Sequence, residues 1–228
     1  MKKNKMMRLA AILLVGVLFT TSVIGGTFAK YVTTESGSDT ARVAKFGVTV
    51  EADSFTMFKT DYEKTDTSAT LIGTNSVSSS DGDKLLAPGT SGSFGTIAIT
   101  GTPEVAVDVA IVATVEVLGN WIIDGDFYCP IVVTVGTEEI SGLDFTSAGD
   151  FAAAIKAEID GKSKQYDPKT DLGTIYNNTN LDLAWAWAFE GAAGSKQTDE
   201  LDTKLGDRAV AEDLTISIGV AITVTQID

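Results

Sequence analysis

The chain has 228 residues, with 31 acidic and 17 basic side chains and no histidine, which gives a formal net charge of −14 at pH 7. So negative a protein is not expected to bind nucleic acid or anionic lipid, because both need Lys and Arg side chains to neutralise their phosphates. The absence of histidine excludes metalloprotease zinc sites and Ser-His-Asp or Cys-His centres, which require an imidazole.

The N-terminus has the pattern of a secretory signal peptide. Four basic side chains come first: Lys2, Lys3, Lys5 and Arg8. An uncharged apolar stretch follows, and Thr27 and Ala29 stand at the minus-three and minus-one positions of a signal-peptidase site. We predict a signal peptide at 1–29 and cleavage between Ala29 and Lys30, which removes four basic residues and lowers the charge to −18. The alternative is a retained anchor, because residues 9–29 are just long enough to cross a bilayer core of about 30 Å.

Alternating apolar and polar residues predict β-strands along most of the chain. The clearest case is 105–117, in which every odd position is apolar. Further strands are predicted at 44–50, 131–135, 181–189 and 214–224. In the first of these, the apolar positions expected to be buried are Ala44, Phe46, Val48 and Val50. Since no βαβ rhythm is present, we predict a mainly β fold: a jelly-roll or immunoglobulin-like sandwich of two antiparallel sheets with one or two flanking helices.

One helix is predicted from its capping signals. Ser147 can cap its N-terminus, Asp150 completes a capping box, and Gly161 ends the helix. The apolar positions on one side are Phe151, Ala152, Ile155 and Ile159. The acidic stretch from Asp199 to Asp213, by contrast, is predicted to be a solvated connector.

The single cysteine and two tryptophans are predicted to lie in the core. Cys129 cannot form an intramolecular disulfide, and its apolar neighbours favour a buried small side chain over a reactive or cross-linking thiol. Trp185 and Trp187 share a strand face with Leu183 and Phe189, which favours burial over stacking on sugars. The opposite face carries small residues and is a candidate acceptor face for a packed segment: Ala184, Ala186 and Ala188.

Two Asp-Gly-Asp sequences resemble fragments of calcium-binding loops. They lie at 81–83 and 124–126, and neither continues into a full set of oxygen ligands. Since Asp-Gly is favoured in tight turns, we predict turns at both positions and no metal or other cofactor.

Three short motifs occur in a characteristic order. Gly25–Ala29 ends the leader, Lys30 and Tyr31 are followed by Ala41–Phe46, and Leu86–Gly89 precedes a strand. With the mid-chain helix and the alternating last strand, these motifs resemble the TasA/camelysin family of exported Gram-positive proteins over nearly the whole chain. The resemblance implies release by a SipW-type signal peptidase, a jelly-roll sandwich and assembly into extracellular fibres of a biofilm matrix.

The resemblance also implies how subunits join. In such fibres the N-terminal segment of one mature subunit completes a β-sheet of its neighbour. Here the donor strand would be Lys30, Tyr31, Val32, Thr33 and Thr34, within a segment 30–40 that precedes a β domain at 41–228. The alternative is that this polar stretch is only a frayed terminus.

The expected function is therefore structural rather than enzymatic. We expect a secreted subunit of matrix or cell-surface fibres that associates with itself head to tail and with other matrix proteins, and that does not bind nucleic acid. The alternative is a monomeric secreted or cell-surface module that binds polysaccharide or protein through the loops 162–180 and 191–213. A camelysin-like protease is less expected, because the chain lacks both the histidines of a His-Glu-x-x-His site and the Asp-Thr-Gly motifs of an aspartic protease.

Overall fold

Antiparallel β-strands dominate the part of the chain that is described. A computed structural model describes residues 42–52, 57–64, 73–93, 97–176, 181–192, 195–209 and 213–227. The predicted signal peptide, its cleavage site at Ala29 and Lys30, and the donor strand at Lys30 to Thr34 lie outside these residues. The mainly β prediction is confirmed.

Thirteen strands are assigned in the described ranges. In chain order they are β1 (Val48–Ala52), β2 (Asp61–Glu63), β3 (Asn75–Ser78), β4 (Thr90–Ser93), β5 (Ile97–Gly101), β6 (Val107–Leu118), β7 (Ile122–Ile123), β8 (Asp126–Phe127), β9 (Ile131–Val135), β10 (Glu138–Ser141), β11 (Lys164–Tyr166), β12 (Leu183–Trp187) and β13 (Thr215–Gln226).

Two larger sheets organise the molecule. One has the strand order β10-β9-β12-β4, and the other has the order β11-β6-β13. All their pairings are antiparallel, and the longest runs from Thr215 opposite Leu118 to Gln226 opposite Val107. Two-stranded sheets pair β1 with β5, β2 with β3 and β7 with β8.

Both larger sheets contribute to one hydrophobic core. The predicted strand at 105–117 is confirmed, because its odd positions Val107, Val109 and Ile111 are buried. Each strand of this kind places alternate side chains on the inner face, so period-two sequence becomes a one-sided surface. On the other sheet the buried set is Ile131, Val133, Val135, Leu183, Trp185 and Trp187.

The helices are α1 (Ala148–Asp160), α2 (Leu172–Tyr176) and α3 (Asp199–Ala209), and Gly142–Asp144 forms a 3₁₀ turn. The prediction of α1 is confirmed: the Ser147 side chain accepts a hydrogen bond from the Asp150 N–H, and Phe151, Ile155 and Ile159 are buried. None of the helices in the described ranges is long and apolar enough to span a bilayer.

The prediction of a solvated connector at 199–213 was wrong for most of its length. Residues Asp199–Ala209 form α3, and the side chains of Asp202 and Leu205 are buried. Thr198 caps this helix through the N–H of Leu201. Acidic residues in its first turn face the positive end of the helix dipole, which stabilises a helix that has few apolar residues.

Two boundaries in the predicted strands also need correction. The first strand begins at Val48 rather than Ala44, because Gly47 has φ +52° and interrupts the extended backbone. Ala44 and Phe46 therefore precede the strand and are exposed rather than buried. Within the strand Val48 is partly buried, but Val50 is exposed. Phe189 was placed in the core, yet it lies beyond the end of β12 and is 69% exposed, with its ring against the Gly89 turn.

Candidate functional site

The predicted acceptor alanines lie on a strand whose two edges are both occupied. Ala184 is opposite Thr134 of β9 and Ser93 of β4, and Ala186 is placed in the same way between these neighbours. Ala188 lies past the strand end, where its carbonyl accepts a hydrogen bond from Gln197. An added strand needs unpaired N–H and C=O groups, so it cannot pair with β12. The alanine face itself stays a prediction, and strand addition through backbone pairing needs an outer strand instead.

The longest outer strand of the described sheets is β13. Its 12 residues pair with β6 along their full length, and no described strand pairs with its other edge. Thr, Ser, Gly and Ala occupy the odd positions, which are exposed, while the even positions from Ile216 to Val224 are buried or partly buried and Gln226 is exposed. A long, regular edge without Pro or an inward-pointing charge is the kind of edge that pairs with another strand.

The register decides which backbone groups of β13 point outward. On β6 the N–H groups of Ile111 and Ala113 bond to residues on the side away from β13. In an antiparallel pair, directly opposite residues both turn their N–H and C=O groups either toward or away from each other. The partners of the odd β6 residues therefore point their N–H and C=O groups to the outer edge. They are Ile216, Ile218, Val220, Ile222 and Val224.

A groove runs beside the first half of this edge. It encloses about 390 Å³ and is lined by Leu214–Ile218 on one side and by Met57, Phe58 and Lys84 on the other. The Met57 carbonyl is fixed by a hydrogen bond of 2.7 Å from the buried Trp185 indole. The opposite wall of the groove is thus tied to the core. A segment laid along β13 would meet both a backbone ladder and apolar side chains.

The other side of this sheet is closed by side chains. Next to β11, the Ser163 hydroxyl accepts a hydrogen bond from the Ile111 N–H and donates one to the Ile111 carbonyl. At Ala113, the Asp160 carboxylate accepts from the N–H at 2.7 Å, and the Lys156 ammonium donates to the carbonyl at 2.9 Å. Together they supply the donors and acceptors that a paired strand would supply.

The ion pair within this closure is held tightly. Lys156 Nζ lies 2.5 Å from Asp160 Oδ2. Hydrogen bonds from Lys156 and from the Ala113 N–H hold the pKa of Asp160 below its ordinary value, because both stabilise the charged carboxylate. The sheet therefore has one closed edge and one open edge among its described strands.

Helix α3, which precedes β13, is attached by polar contacts that the sequence did not indicate. The Tyr128 hydroxyl donates to Asp202 Oδ1 at 2.5 Å, and Gln197 donates to Oδ2 at 2.9 Å. Burial and the nearby carboxylate raise the pKa of Tyr128. Lys204 pairs with Asp124 at 2.7 Å and with Glu200 at 2.8 Å. The spacing of Asp202 and Leu205 by three positions was the available signal for one inward-facing side of α3.

Cys129 and the two tryptophans of β12 lie in the core, as predicted. Cys129 is fully buried, as predicted, and burial raises the pKa of its thiol to about 12. Trp185 and Trp187 are 2% and 5% exposed, which confirms their place in the core. Stacking on sugars from outside is therefore not open to these two rings.

The Asp-Gly-Asp sequences form bends. Asp124 and Gly125 have φ of +54° and +98°, as in a tight hairpin turn between β7 and β8. Asp81 accepts hydrogen bonds from Ser79 and from the Asp83 N–H around Gly82. In the part of the chain that is described, no cluster of three or more His, Cys, Asp or Glu side chains is arranged to hold a metal ion.

Comparison with protein-family models, curated proteins and solved structures finds no match for this chain.

Proposed function

We propose that the protein is a secreted structural subunit that polymerises by strand addition. After a SipW-type signal peptidase cleaves between Ala29 and Lys30, residues beginning Lys30 to Thr34 pair with the outer edge of β13 in the next copy. The fold that fits this role is a two-sheet jelly-roll sandwich in which the added strand occupies the outer edge of β13. The product is a fibre of the extracellular matrix or cell surface.

The observation that carries the proposal is the open edge of β13 beside its groove. Strand addition satisfies backbone groups for which the described strands supply no partner, and it buries alternate side chains of the added segment. Tyr31 and Val32 are the apolar side chains available for this purpose near the new N-terminus. The donor segment must reach the neighbouring copy. Because the uncleaved leader is attached to its N-terminus, assembly begins only after cleavage.

The two edges of the β11-β6-β13 sheet explain why growth would be linear. The edge at Ile111 and Ala113 is occupied by Ser163, Asp160 and Lys156, whereas no strand in the described ranges pairs with the outer edge of β13. Each subunit then offers one donor and one acceptor on different surfaces. Such a head-to-tail contact does not close on itself and produces a filament.

Electron microscopy of purified residues 30–228 tests the proposal. This piece is suited to the test because every buried residue of the described core lies between Met57 and Ile216. We expect ordered filaments. Deleting Lys30 to Ser38 should leave a folded monomer, and so should extending the chain before Lys30. The matched control is Thr33→Val, which keeps the length and strand propensity of the donor and should still polymerise.

Two outcomes would contradict the proposal. If the deleted protein is folded by circular dichroism and still forms filaments, the N-terminal segment is not the donor. If residues 30–228 stay monomeric at every concentration and salt tested, the protein is not a fibre subunit.

A further inference from the structure

Resting on the proposed function, we propose that the donor segment runs antiparallel to β13, and that this direction seats an exposed apolar patch of one copy against a second patch on the next. The first patch, called the root patch, consists of Phe46 and Val50. The second, called the rim patch, consists of Leu118 and Ile122. All four of these apolar side chains are partly exposed in the single chain.

The length of the donor segment limits where it can end along β13. Residues 30–40, which precede the β domain, form a segment one residue shorter than β13, which has 12 residues. A donor that covers the whole edge therefore ends at one tip of β13 or the other. In the antiparallel direction, Lys30 lies near Gln226 and the segment ends near Thr215. In the parallel direction, it ends near Gln226.

Charge favours the antiparallel direction. The groove wall beside Thr215 carries Lys84. The antiparallel arrangement places Asp39, near the end of the segment, opposite Ser217 and close to this lysine. The parallel arrangement would instead bring Lys30 and the new α-amino group to the same place. Arg42 offsets Asp39 at this end, whereas the other end carries two positive charges, Lys30 and the α-amino group. Since like charges across an interface oppose it, the end at Asp39 is the one favoured beside Lys84.

Exposed apolar side chains stand at both places that this direction brings together. Phe46 and Val50 are 39% and 41% exposed, and they follow directly after the segment that leaves the molecule. Leu118 is 54% exposed and lies opposite Thr215, at the tip of β13 where the donor would end. Ile122, the first residue of β7, is 39% exposed and comes four residues after Leu118.

The root patch is held in place by its own strand. β1 pairs with β5, and just before it the Lys45 N–H donates to the Glu104 carboxylate at 2.9 Å while the Glu104 N–H donates to the Lys45 carbonyl. The chain at Phe46 is therefore fixed to the domain that it belongs to. When the donor segment pairs with the neighbour, the domain to which Phe46 is fixed is held close to that neighbour, and the two domains come into contact.

Cysteine trapping between two populations of subunits tests the direction. One carries Thr33→Cys, and the other carries either Thr223→Cys or Ser217→Cys, both at exposed positions of β13. Six residues of strand separate these two sites by about 20 Å, whereas a disulfide spans less than about 7 Å between Cα atoms. We expect a disulfide with Thr223→Cys and none with Ser217→Cys. The native Cys129 is buried in every variant.

The results separate this inference from the proposed function. Cross-linking to Ser217→Cys alone would overturn the antiparallel direction and leave strand addition at β13 intact. Filaments that cross-link at neither position would overturn both, because the donor would then lie elsewhere.

Charge substitutions test the contact between the patches. Phe46→Glu or Leu118→Lys alone should slow filament growth about tenfold, and the double variant should recover most of the rate, because the new charges face each other at every junction. Val112→Lys is the matched control: it adds the same charge at an exposed position of β6 far from the donor tip. Thermal unfolding confirms that each variant is folded.

If the double variant grows as slowly as the single ones, or if Val112→Lys slows growth equally, the two patches do not meet.

Discussion

The Asp202 side chain is only 7% exposed, so both of its carboxylate oxygens need hydrogen-bond donors from the protein. Tyr128 and Gln197 donate to its two oxygens, so the buried oxygens are satisfied. A buried acid left without partners costs free energy, because it loses its hydration without compensation. The bond from Tyr128 joins α3 to the entrance of β9, and so helps to hold the chain that enters β13.

Tyr128→Phe tests that attachment. It removes a hydrogen bond to a buried charge, so we expect the free energy of unfolding to fall by about 1.5–3 kcal/mol in urea denaturation. Tyr166→Phe is the matched control, since the Tyr166 hydroxyl donates to the neutral Tyr176 hydroxyl at 2.9 Å. Its loss should cost only about 0.5–1.5 kcal/mol. Equal losses for the two variants would show that the Asp202 contact is not special.

Cys129 makes a second prediction about a single side chain. Because it is fully buried and its thiol pKa is raised to about 12, it should not react with iodoacetamide in the folded protein at pH 8. Mass spectrometry should find complete labelling only after denaturation. Rapid labelling of the folded chain would mean that the β8–β9 connection opens readily.

Among the elements, α1 has two roles at once. Its inner face buries Phe151, Ile155 and Ile159. In its C-terminal part, Lys156 and Asp160 form hydrogen bonds with the β6 backbone. The first role was predictable, since apolar residues recur at helical spacing. The second was not, because the partner backbone at Ala113 lies 47 residues away in sequence.

The closure at Ala113 makes stability depend on pH. The pKa of Asp160 is lowered in the folded protein, so its contribution is present above the unfolded value near 3.8 and is lost as pH falls through the folded pKa. Asp160→Asn should therefore be less stable than the wild type at pH 7, by less than about 1 kcal/mol because the pair is partly exposed, and the difference should vanish in strong acid.

Amide hydrogen exchange and urea denaturation at pH 7 and near pH 2 measure this effect. Protection of the Ala113 amide should fall in Asp160→Asn, and it should be unchanged in Asp207→Asn, an exposed aspartate of α3. A stability difference that grows as the solution is acidified would contradict the assigned role of the carboxylate.

How far the sequence predicts the elements depends on which interactions form them. β6, β9, β12 and α1 were predicted because each carries its own apolar periodicity. α3 was missed because it is acidic, although Thr198 as a cap and the acidic first turn were signals for it. The open edge of β13 could not be predicted, because alternation shows that a strand exists without showing which strands become its neighbours.

The net negative charge of the whole molecule opposes its assembly into filaments. The proposed mature chain carries a formal charge of −18, so copies repel one another as they approach. Salt shortens the range of that repulsion, from about 30 Å at 0.01 M to about 8 Å at 0.15 M. Filament growth by residues 30–228 should therefore accelerate with added sodium chloride in light-scattering experiments.

Different salts separate screening from specific binding. Sodium and potassium chloride at equal ionic strength should give the same rate. Growth that slows as either salt is added would show that attraction between charges, rather than backbone pairing and apolar contact, drives association.

The account depends most on the outer edge of β13, and a single substitution there tests it. Val220→Pro removes an outward N–H without removing a bond to β6, and Val220→Ala shortens the same side chain while keeping that N–H. With folding verified by circular dichroism, sedimentation should find polymer for Val220→Ala and only monomer for Val220→Pro. Equal polymer yields from the two folded variants would contradict strand addition at this edge.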